Sequence, residues 1–341
     1  MSELESNSID LIVTSPPYPM IEMWDPLFIS LNDEIKQALK EEDSKRAFNL
    51  MHEELDKVWS EVKRVLKPGG IACVNIGDAT RKIGENFQLF PNHVKISNAF
   101  QNDNFIELPC ILWRKPTNSP NKFLGSGTLP PNAYVTLEHE YILIFRKGDI
   151  KRFIAPKSET RYQSAFFWEE RNRWFSDVWE DIRGISQNLL KNNNNQIKLR
   201  ERTAAYPLRI PYRLINMFSL YDDMVLDPFW GTGTTSLAAM ISGRNSIGYE
   251  INFEFLEIFK KKLNIIKQLS FDINSNRIKH HINFIKKYMN NFKNVKYKSV
   301  QYKFPVVTKQ EIDIILYSIK SYSENKNEFM LTYERFELKN N

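Results

Sequence analysis

Short apolar runs and helix-spaced apolar residues alternate along this chain. Buried strands are predicted at 9–13, 71–76, 106–113, 138–146, 224–226 and 246–249, where apolar residues run together and turn residues follow. Helices are predicted at about 33–66, 92–100, 211–221, 236–242 and 253–268, where apolar residues recur at helical spacing. Because strands alternate with helices, the predicted fold class is α/β with a mostly parallel sheet.

Two stretches with little periodicity interrupt this pattern. Residues 114–136 are rich in Pro, Gly, Ser and Asn and predict a long loop, and from 147 to about 202 Arg, Lys, Trp, Asn and Gln accumulate. The second stretch separates two regular parts of the chain and is therefore predicted to be an insert. We divide the chain into residues 1–150, an insert at 151–202, residues 203–268, and a basic C-terminal extension of unknown role at 269–341.

Composition adds bounds on the class and the partners. The 341 residues are 42% hydrophobic and 26% charged, which is typical of an ordinary globular protein with a sizeable core. A net charge of +6 is compatible with a polyanionic partner. Cys73 and Cys110 lie in apolar runs without a CxxC motif, so we expect buried thiols and no metal site. Without a visible signal peptide or membrane span, a cytoplasmic location is expected.

The first chemical motif, Thr-Ser-Pro-Pro-Tyr, directly follows the strand at 9–13. Two consecutive prolines cannot donate to a sheet, so the chain leaves the sheet there, at the edge where open α/β sheets bind ligands. The motif offers hydrogen-bond acceptors and an aromatic face, which suit a flat ligand with an exocyclic amino group. The four residues that provide them are Ser15, Pro16, Pro17 and Tyr18. The alternative is a Pro-Pro turn without function.

The second motif lies between the strand at 224–226 and the helix after it. It begins at Asp227 and carries Gly231 and Gly233, so backbone N–H groups and a helix N-terminus can approach a ligand closely. Glu250 ends the next strand, where dinucleotide folds place a ribose-binding carboxylate. Thr234 stands where a P-loop needs lysine, so the pattern indicates a nucleotide-like ligand of another kind. A tight turn without a ligand is the alternative.

Both motifs resemble those of DNA amino-methyltransferases, which methylate the exocyclic nitrogen of cytosine or adenine. The Ser form of the first motif is typical of cytosine-N4 members, and the Asp form is typical of adenine-N6 members. The resemblance implies a Rossmann-like sheet that binds S-adenosyl-L-methionine. The cofactor-binding residues that it implies are Pro207, Asp227, Phe229, Gly231, Gly233, Thr234 and Glu250. Asp78, at the end of its strand, is a further candidate for contact with the cofactor or the base, and a strand-end cap is the alternative. The order of the two motifs, with an insert between them, resembles the β class, whose insert reads the target DNA.

The resemblance also implies partners and leaves alternatives open. Double-stranded DNA is the expected substrate, and a cognate restriction endonuclease is an expected partner. The candidate DNA-binding residues are Arg161, Arg171, Arg173 and Arg183 in the insert and Asn121 and Lys122 in the preceding loop. Adenine-N6 methylation and an inactive DNA-binding scaffold are the alternatives. Relatives usually carry one more strand–helix unit upstream, so the adenine pocket is made otherwise, the extension supplies the strand, or the chain is truncated.

Overall fold

The structure, a computed structural model, describes residues 1–115, 125–184, 205–291 and 295–337. Its strands are β1 (Ile9–Thr14), β2 (Leu66–Ile76), β3 (Ala79–Ile83), β4 (Asn86–Phe90), β5 (Phe105–Arg114), β6 (His139–Lys147), β7 (Val178–Trp179), β8 (Met224–Asp227), β9 (Asn245–Gly248), β10 (Tyr297–Lys298), β11 (Pro305–Val306), β12 (Tyr317–Asn325) and β13 (Glu328–Arg335). Its helices are α1 (Asp25–Leu31), α2 (Asp33–Lys40), α3 (Ser44–Val65), α4 (Asn92–Asn102), α5 (Glu159–Gln163), α6 (Trp168–Trp174), α7 (Arg209–Phe218), α8 (Thr234–Ile241), α9 (Glu254–Leu263) and α10 (Ile266–Asn291).

A seven-stranded sheet in the order β7-β5-β6-β2-β1-β8-β9 forms the centre of the molecule. β1 is parallel to both β2 and β8, and β8 is parallel to β9. β6 is antiparallel to both of its neighbours, so the sheet is mixed. Every residue of β1 is buried, which explains why four of its six residues are apolar. Because β1 and β8 are parallel neighbours, the two motifs that follow them start at the same edge of the sheet.

Two apolar cores cover the two faces of this sheet. Ile9 and Ile12 of β1 point into one core, where Trp59 of α3 is fully buried. Leu11 and Val13 point into the other core, which α7, α8 and α9 cover. This layering confirms the predicted α/β class. None of the described helices is long and apolar enough to span a membrane.

The predicted helix at 33–66 is wrong in one respect, because the structure has two helices there. The chain breaks between Lys40 and Ser44, where Glu42 adopts a φ of +60°, and the side chain of Asp43 caps α3 by accepting from Arg46 N. The predicted end near Leu66 is confirmed. β2 then begins at Leu66, five residues earlier than predicted, and includes the Pro-Gly-Gly turn signal within the strand.

A third, smaller core joins the insert to the C-terminal extension. Phe167 from the insert packs with Ile278 of α10 and with four further buried residues of the extension, Tyr302, Ile314, Leu316 and Phe336. Arg277 donates to both oxygens of Glu170 at 2.6 and 2.8 Å. The described strands of the extension form separate two-stranded sheets and none joins the central sheet. Within the described residues, the extension therefore adds no strand to the central sheet.

Candidate active site

The two motifs meet at the carboxyl edge of the sheet although they are far apart in sequence. Leu11 and Ile12 pair with Val225 and Leu226, which places the ends of β1 and β8 side by side. Thr14 Oγ1 donates to Asp227 Oδ1 at 2.6 Å, across 213 residues of sequence. The first motif and the second motif thus line one site.

Asp227 is the buried acid of this site, with 2% of its surface exposed. Its carboxylate accepts from Thr14 Oγ1, from Thr235 Oγ1 at 2.5 Å and from Phe229 N at 3.1 Å. Burial raises the pKa of Asp227 to about 6, although these hydrogen bonds favour the ionised form. A charge that is buried but well solvated by donors suits the recognition of a cationic group on a ligand.

The raised pKa of Asp227 predicts how its contribution to stability depends on pH. The folded state binds a proton more tightly than the unfolded state, whose Asp pKa is near 3.8, so stability is lost as pH rises from about 4 through 6. We expect the unfolding free energy of Asp227→Asn, relative to wild type, to rise by about 2 kcal/mol between pH 4 and pH 7. Urea unfolding of both proteins across this range measures the difference. If the difference in unfolding free energy between Asp227→Asn and wild type were the same at pH 4 and at pH 7, it would contradict the raised pKa of Asp227.

Glycine occupies positions 231 and 233 for different structural reasons. Gly231 has a φ of +52°, and a Cβ there would meet only Phe229 O at 3.9 Å, so open space lies beside its backbone. A Cβ at Gly233 would lie 2.3 Å from the Phe259 ring, so this glycine is needed for packing of the turn. Glu250 Oε2 accepts from Gly231 N at 2.8 Å and fixes the loop beside that open space. The space beside Gly231 is thus available to a ligand.

The remaining candidate cofactor residues surround the same turn. Phe229 packs edge-on against Trp59 at 5.7 Å, and Thr234 and Pro207 are buried. Lys262 donates to Thr232 O at 2.9 Å and to Thr232 Oγ1 at 2.7 Å, so it supports the turn. Burial lowers the pKa of Lys262 to about 8.

Asp78 is engaged with the start of α4. Its carboxylate accepts from His93 N at 3.1 Å and pairs with His93 Nδ1 at 2.8 Å. This arrangement favours the role of a helix cap. Contact of Asp78 with a cofactor or a base stays a prediction.

The Ser-Pro-Pro-Tyr motif is held by three residues that the sequence did not single out. Ser15 Oγ lies 3.2 Å from Tyr18 Oη, which donates to Glu140 Oε2 at 3.0 Å. Asn75 Nδ2 donates to Tyr18 Oη at 2.8 Å and to Glu140 Oε2 at 2.7 Å. Glu140 also pairs with Lys115. The sequence signal for two of them was a polar residue beside apolar ones, with Asn75 next to the end of the run 71–76 and Glu140 near the start of the predicted strand 138–146.

The candidate DNA-binding arginines lie on the insert. Arg161, Arg171, Arg173 and Arg183 are all exposed. Of the tryptophans interleaved with them, Trp174 and Trp179 are buried in the core and are not free to stack on bases. Asn121 and Lys122 lie outside the described residues.

The fold and the site define a class: an α/β protein that binds a nucleotide-like ligand beside a Ser-Pro-Pro-Tyr motif. The family profile described as DNA methylase, for N6 and N4 methyltransferases, matches residues 9–261. The Type II methyltransferase M.MthZI of Methanothermobacter thermautotrophicus is 54% identical over 98% of this chain and 92% of its own length. M.MjaI of Methanocaldococcus jannaschii is 54% identical over 80% of this chain and 91% of its own.

A solved structure agrees with these relatives. TTHA0409 from Thermus thermophilus, in complex with S-adenosyl-L-methionine, has a TM-score of 0.59 and 30% identity, over 78% of this chain and 89% of its own. This chain belongs to the DNA methylase family of N6- and N4-specific amino-methyltransferases. S-adenosyl-L-methionine is the cofactor of this family. The open space beside Gly231 and the buried carboxylate of Asp227 fit such a ligand.

Proposed function

We propose that this chain methylates the exocyclic N4 of a cytosine in double-stranded DNA. The observation that carries the proposal is Ser15, which lies at the carboxyl edge one residue after the threonine bonded to Asp227. The Ser form of this motif is typical of cytosine-N4 enzymes, and the Asp form is typical of adenine-N6 enzymes. Ser15 gives the site a neutral acceptor.

Two acceptors of the motif are proposed to act on the amino group. The lone pair of that nitrogen is delocalised into the ring, so it is a poor nucleophile. Ser15 Oγ and the Pro16 carbonyl accept hydrogen bonds from its two N–H groups, which localises the lone pair on nitrogen. Pro16 and Pro17 are buried, which holds this part of the backbone in place. The residues therefore act by positioning, and neither cysteine is needed as a nucleophile.

The cofactor site is proposed to form around the second motif. When bound, S-adenosylmethionine supplies a methyl group on a positively charged sulfonium. Asp227 and the backbone beside Gly231 hold the methionine part, and Glu250 binds the ribose hydroxyls. Phe229, Gly233, Thr234 and Pro207 shape the walls.

The target base must leave the duplex, because its amino group is unreachable within the stack. Flipping costs a few kcal/mol, and stacking on the partly exposed ring of Tyr18 returns about 1–3 kcal/mol. Phosphate contacts supply the rest, and the exposed arginines Arg161, Arg171, Arg173 and Arg183 are the proposed donors. Because the relatives M.MthZI and M.MjaI carry the name Type II methyltransferase, we expect a cognate restriction endonuclease as partner.

Product analysis tests the choice of base. The protein is incubated with radiolabelled S-adenosylmethionine and sheared genomic DNA from a methylation-deficient bacterium, and the DNA is digested to nucleosides. We expect the label in N4-methyldeoxycytidine. Label in N6-methyldeoxyadenosine alone would contradict the cytosine assignment and support the adenine alternative.

A further inference from the structure

A chain of hydrogen bonds leads from the Ser15 hydroxyl to a largely buried ion pair behind the site. Ser15 Oγ lies 3.2 Å from Tyr18 Oη, and Tyr18 Oη lies 3.0 Å from Glu140 Oε2. Glu140 is 8% exposed, and its other oxygen is paired with Lys115 Nζ. Lys115 in turn lies over the ring of Trp113, 4.9 Å from its centroid. None of the roles proposed above involves Glu140 or Lys115.

The amide of Asn75 fixes the direction of these hydrogen bonds. One of its atoms lies 2.7 Å from Glu140 Oε2, and an ionised carboxylate can only accept, so that atom is the nitrogen. The second proton of the same nitrogen is donated to Tyr18 Oη at 2.8 Å. Asn75 Oδ1 is buried and has no hydrogen-bond partner in the described structure. Because an orphaned buried acceptor is unfavourable, its presence indicates that the amide is held for its donors.

The Tyr18 hydroxyl can donate its hydrogen bond to Glu140 Oε2 or to Ser15 Oγ. A charged acceptor makes the stronger hydrogen bond, so the hydroxyl donates to Glu140 Oε2. Tyr18 Oη therefore faces Ser15 with a lone pair, and the Ser15 hydroxyl donates to it. Asn75 Nδ2 also lies 3.4 Å from Ser15 Oγ, but its two protons are donated at shorter distances to Tyr18 Oη and Glu140 Oε2. The lone pairs of Ser15 Oγ are then the groups left for a ligand.

This direction matters because a hydroxyl is chemically ambiguous. Serine can donate or accept, and only acceptance activates an amino group. An aspartate at the same position would accept in every orientation and would need no such control. The neutral Ser15 needs a neighbour that accepts the hydrogen bond of its hydroxyl.

We propose that Glu140, held by Lys115 and assisted by Asn75, is a positioning residue that orients the Ser15 hydroxyl through Tyr18 as a hydrogen-bond acceptor. This inference rests on the proposed role of Ser15 in methyl transfer, and it holds for either target base. It gives the hydroxyl of Tyr18 a function separate from that of its ring. A phenylalanine at position 18 would keep the ring and break the chain of hydrogen bonds.

Single-turnover methyl transfer tests the proposal. Rates are measured for full-length Tyr18→Phe, Glu140→Gln and the double variant, with labelled S-adenosylmethionine and sheared genomic DNA from a methylation-deficient bacterium. We expect each single variant to be about 10- to 100-fold slower, by analogy with residues that orient metal ligands from behind. Dissociation constants for S-adenosylmethionine and DNA should be unchanged, which a general loss of structure would not produce. Tyr18→Phe keeps the Glu140–Lys115 ion pair, so it tests the proposal even if Glu140→Gln fails to fold.

The double variant gives the sharpest readout. Residues that act as one unit are non-additive, so Tyr18→Phe/Glu140→Gln should be no slower than the slower single variant. Losses that multiply would overturn the proposal. Glu138→Gln is the matched control, because Glu138 is 47% exposed and pairs with Arg114 at the surface, and it should have the wild-type rate.

Ser15→Ala separates this inference from the proposed function. A slow Ser15→Ala with wild-type rates for Tyr18→Phe and Glu140→Gln would overturn the orienting role alone. A wild-type rate for Ser15→Ala would overturn the role of Ser15 and the inference with it.

Discussion

Gly231→Val should abolish binding of S-adenosyl-L-methionine. A Cβ at Gly231 would extend into space where the structure has only Phe229 O, at 3.9 Å, and the valine methyl groups would fill it. Glu250 holds the same backbone through Gly231 N, so the loop has little freedom to move aside. We expect affinity to fall at least about 100-fold, a cost of roughly 3 kcal/mol. Isothermal titration calorimetry of the full-length protein with the cofactor measures it.

Backbone strain at Gly231 requires its own control. A valine at a φ of +52° is strained wherever it lies, so a loss of binding could come from the loop alone. Gly148 provides the match, because its φ is +70° and nothing lies within 4 Å of its Cβ position. Gly148→Val should lose similar stability and bind the cofactor normally. Retained affinity in Gly231→Val would refute the assigned pocket.

Ser15→Ala should stop methyl transfer while leaving the cofactor bound. The change removes an acceptor that is proposed to act only on the reacting amino group. Its nearest protein partners are the hydroxyl of Tyr18 and the amide of Asn75, not residues of the second motif. Removal of one such preorganised hydrogen-bonding group costs about 100- to 1,000-fold in rate. Single-turnover rates and calorimetry separate the two effects.

The control for Ser15→Ala is another serine on the same chain. Ser60 lies on the exposed side of α3, where its hydroxyl donates to Asp56 O. Ser60→Ala should have the wild-type transfer rate and cofactor affinity. If Ser15→Ala lost affinity for the cofactor as strongly as it lost rate, the assignment of Ser15 to the methyl-accepting side would be wrong.

The edge of the sheet that carries the site was predictable because its signals are local. Prolines after the strand at 9–13 and glycines after the strand at 224–226 must end those strands, whatever surrounds them. Parallel pairing then places both ends together. The resemblance of the same residues to known motifs added the cofactor, which the comparisons confirm.

The hydrogen-bonding residues behind Ser15 were not predictable, because their position depends on the pairing of distant strands. β2 and β6 are antiparallel with Asn75 opposite Ile142 and Ile76 opposite Tyr141, and this register places Asn75 near Glu140 across 65 residues. No local pattern encodes such a register. The hairpin of β3 and β4 and the hairpin of β12 and β13 were missed for a related reason, because their strands carry mixed polar sequences with weak alternation.

The shared core of the insert and the extension has a consequence for how such an enzyme can change its target. Phe167 packs with Ile278, and Glu170 is bound by Arg277, so the surface of the insert rests on α10. If the insert reads the DNA, recombination that replaces the insert alone would leave the largely buried Arg277 without its counter-charge. A change of recognition sequence would therefore require exchange of the insert and the C-terminal extension together. A graft designed in the laboratory should likewise transfer both segments.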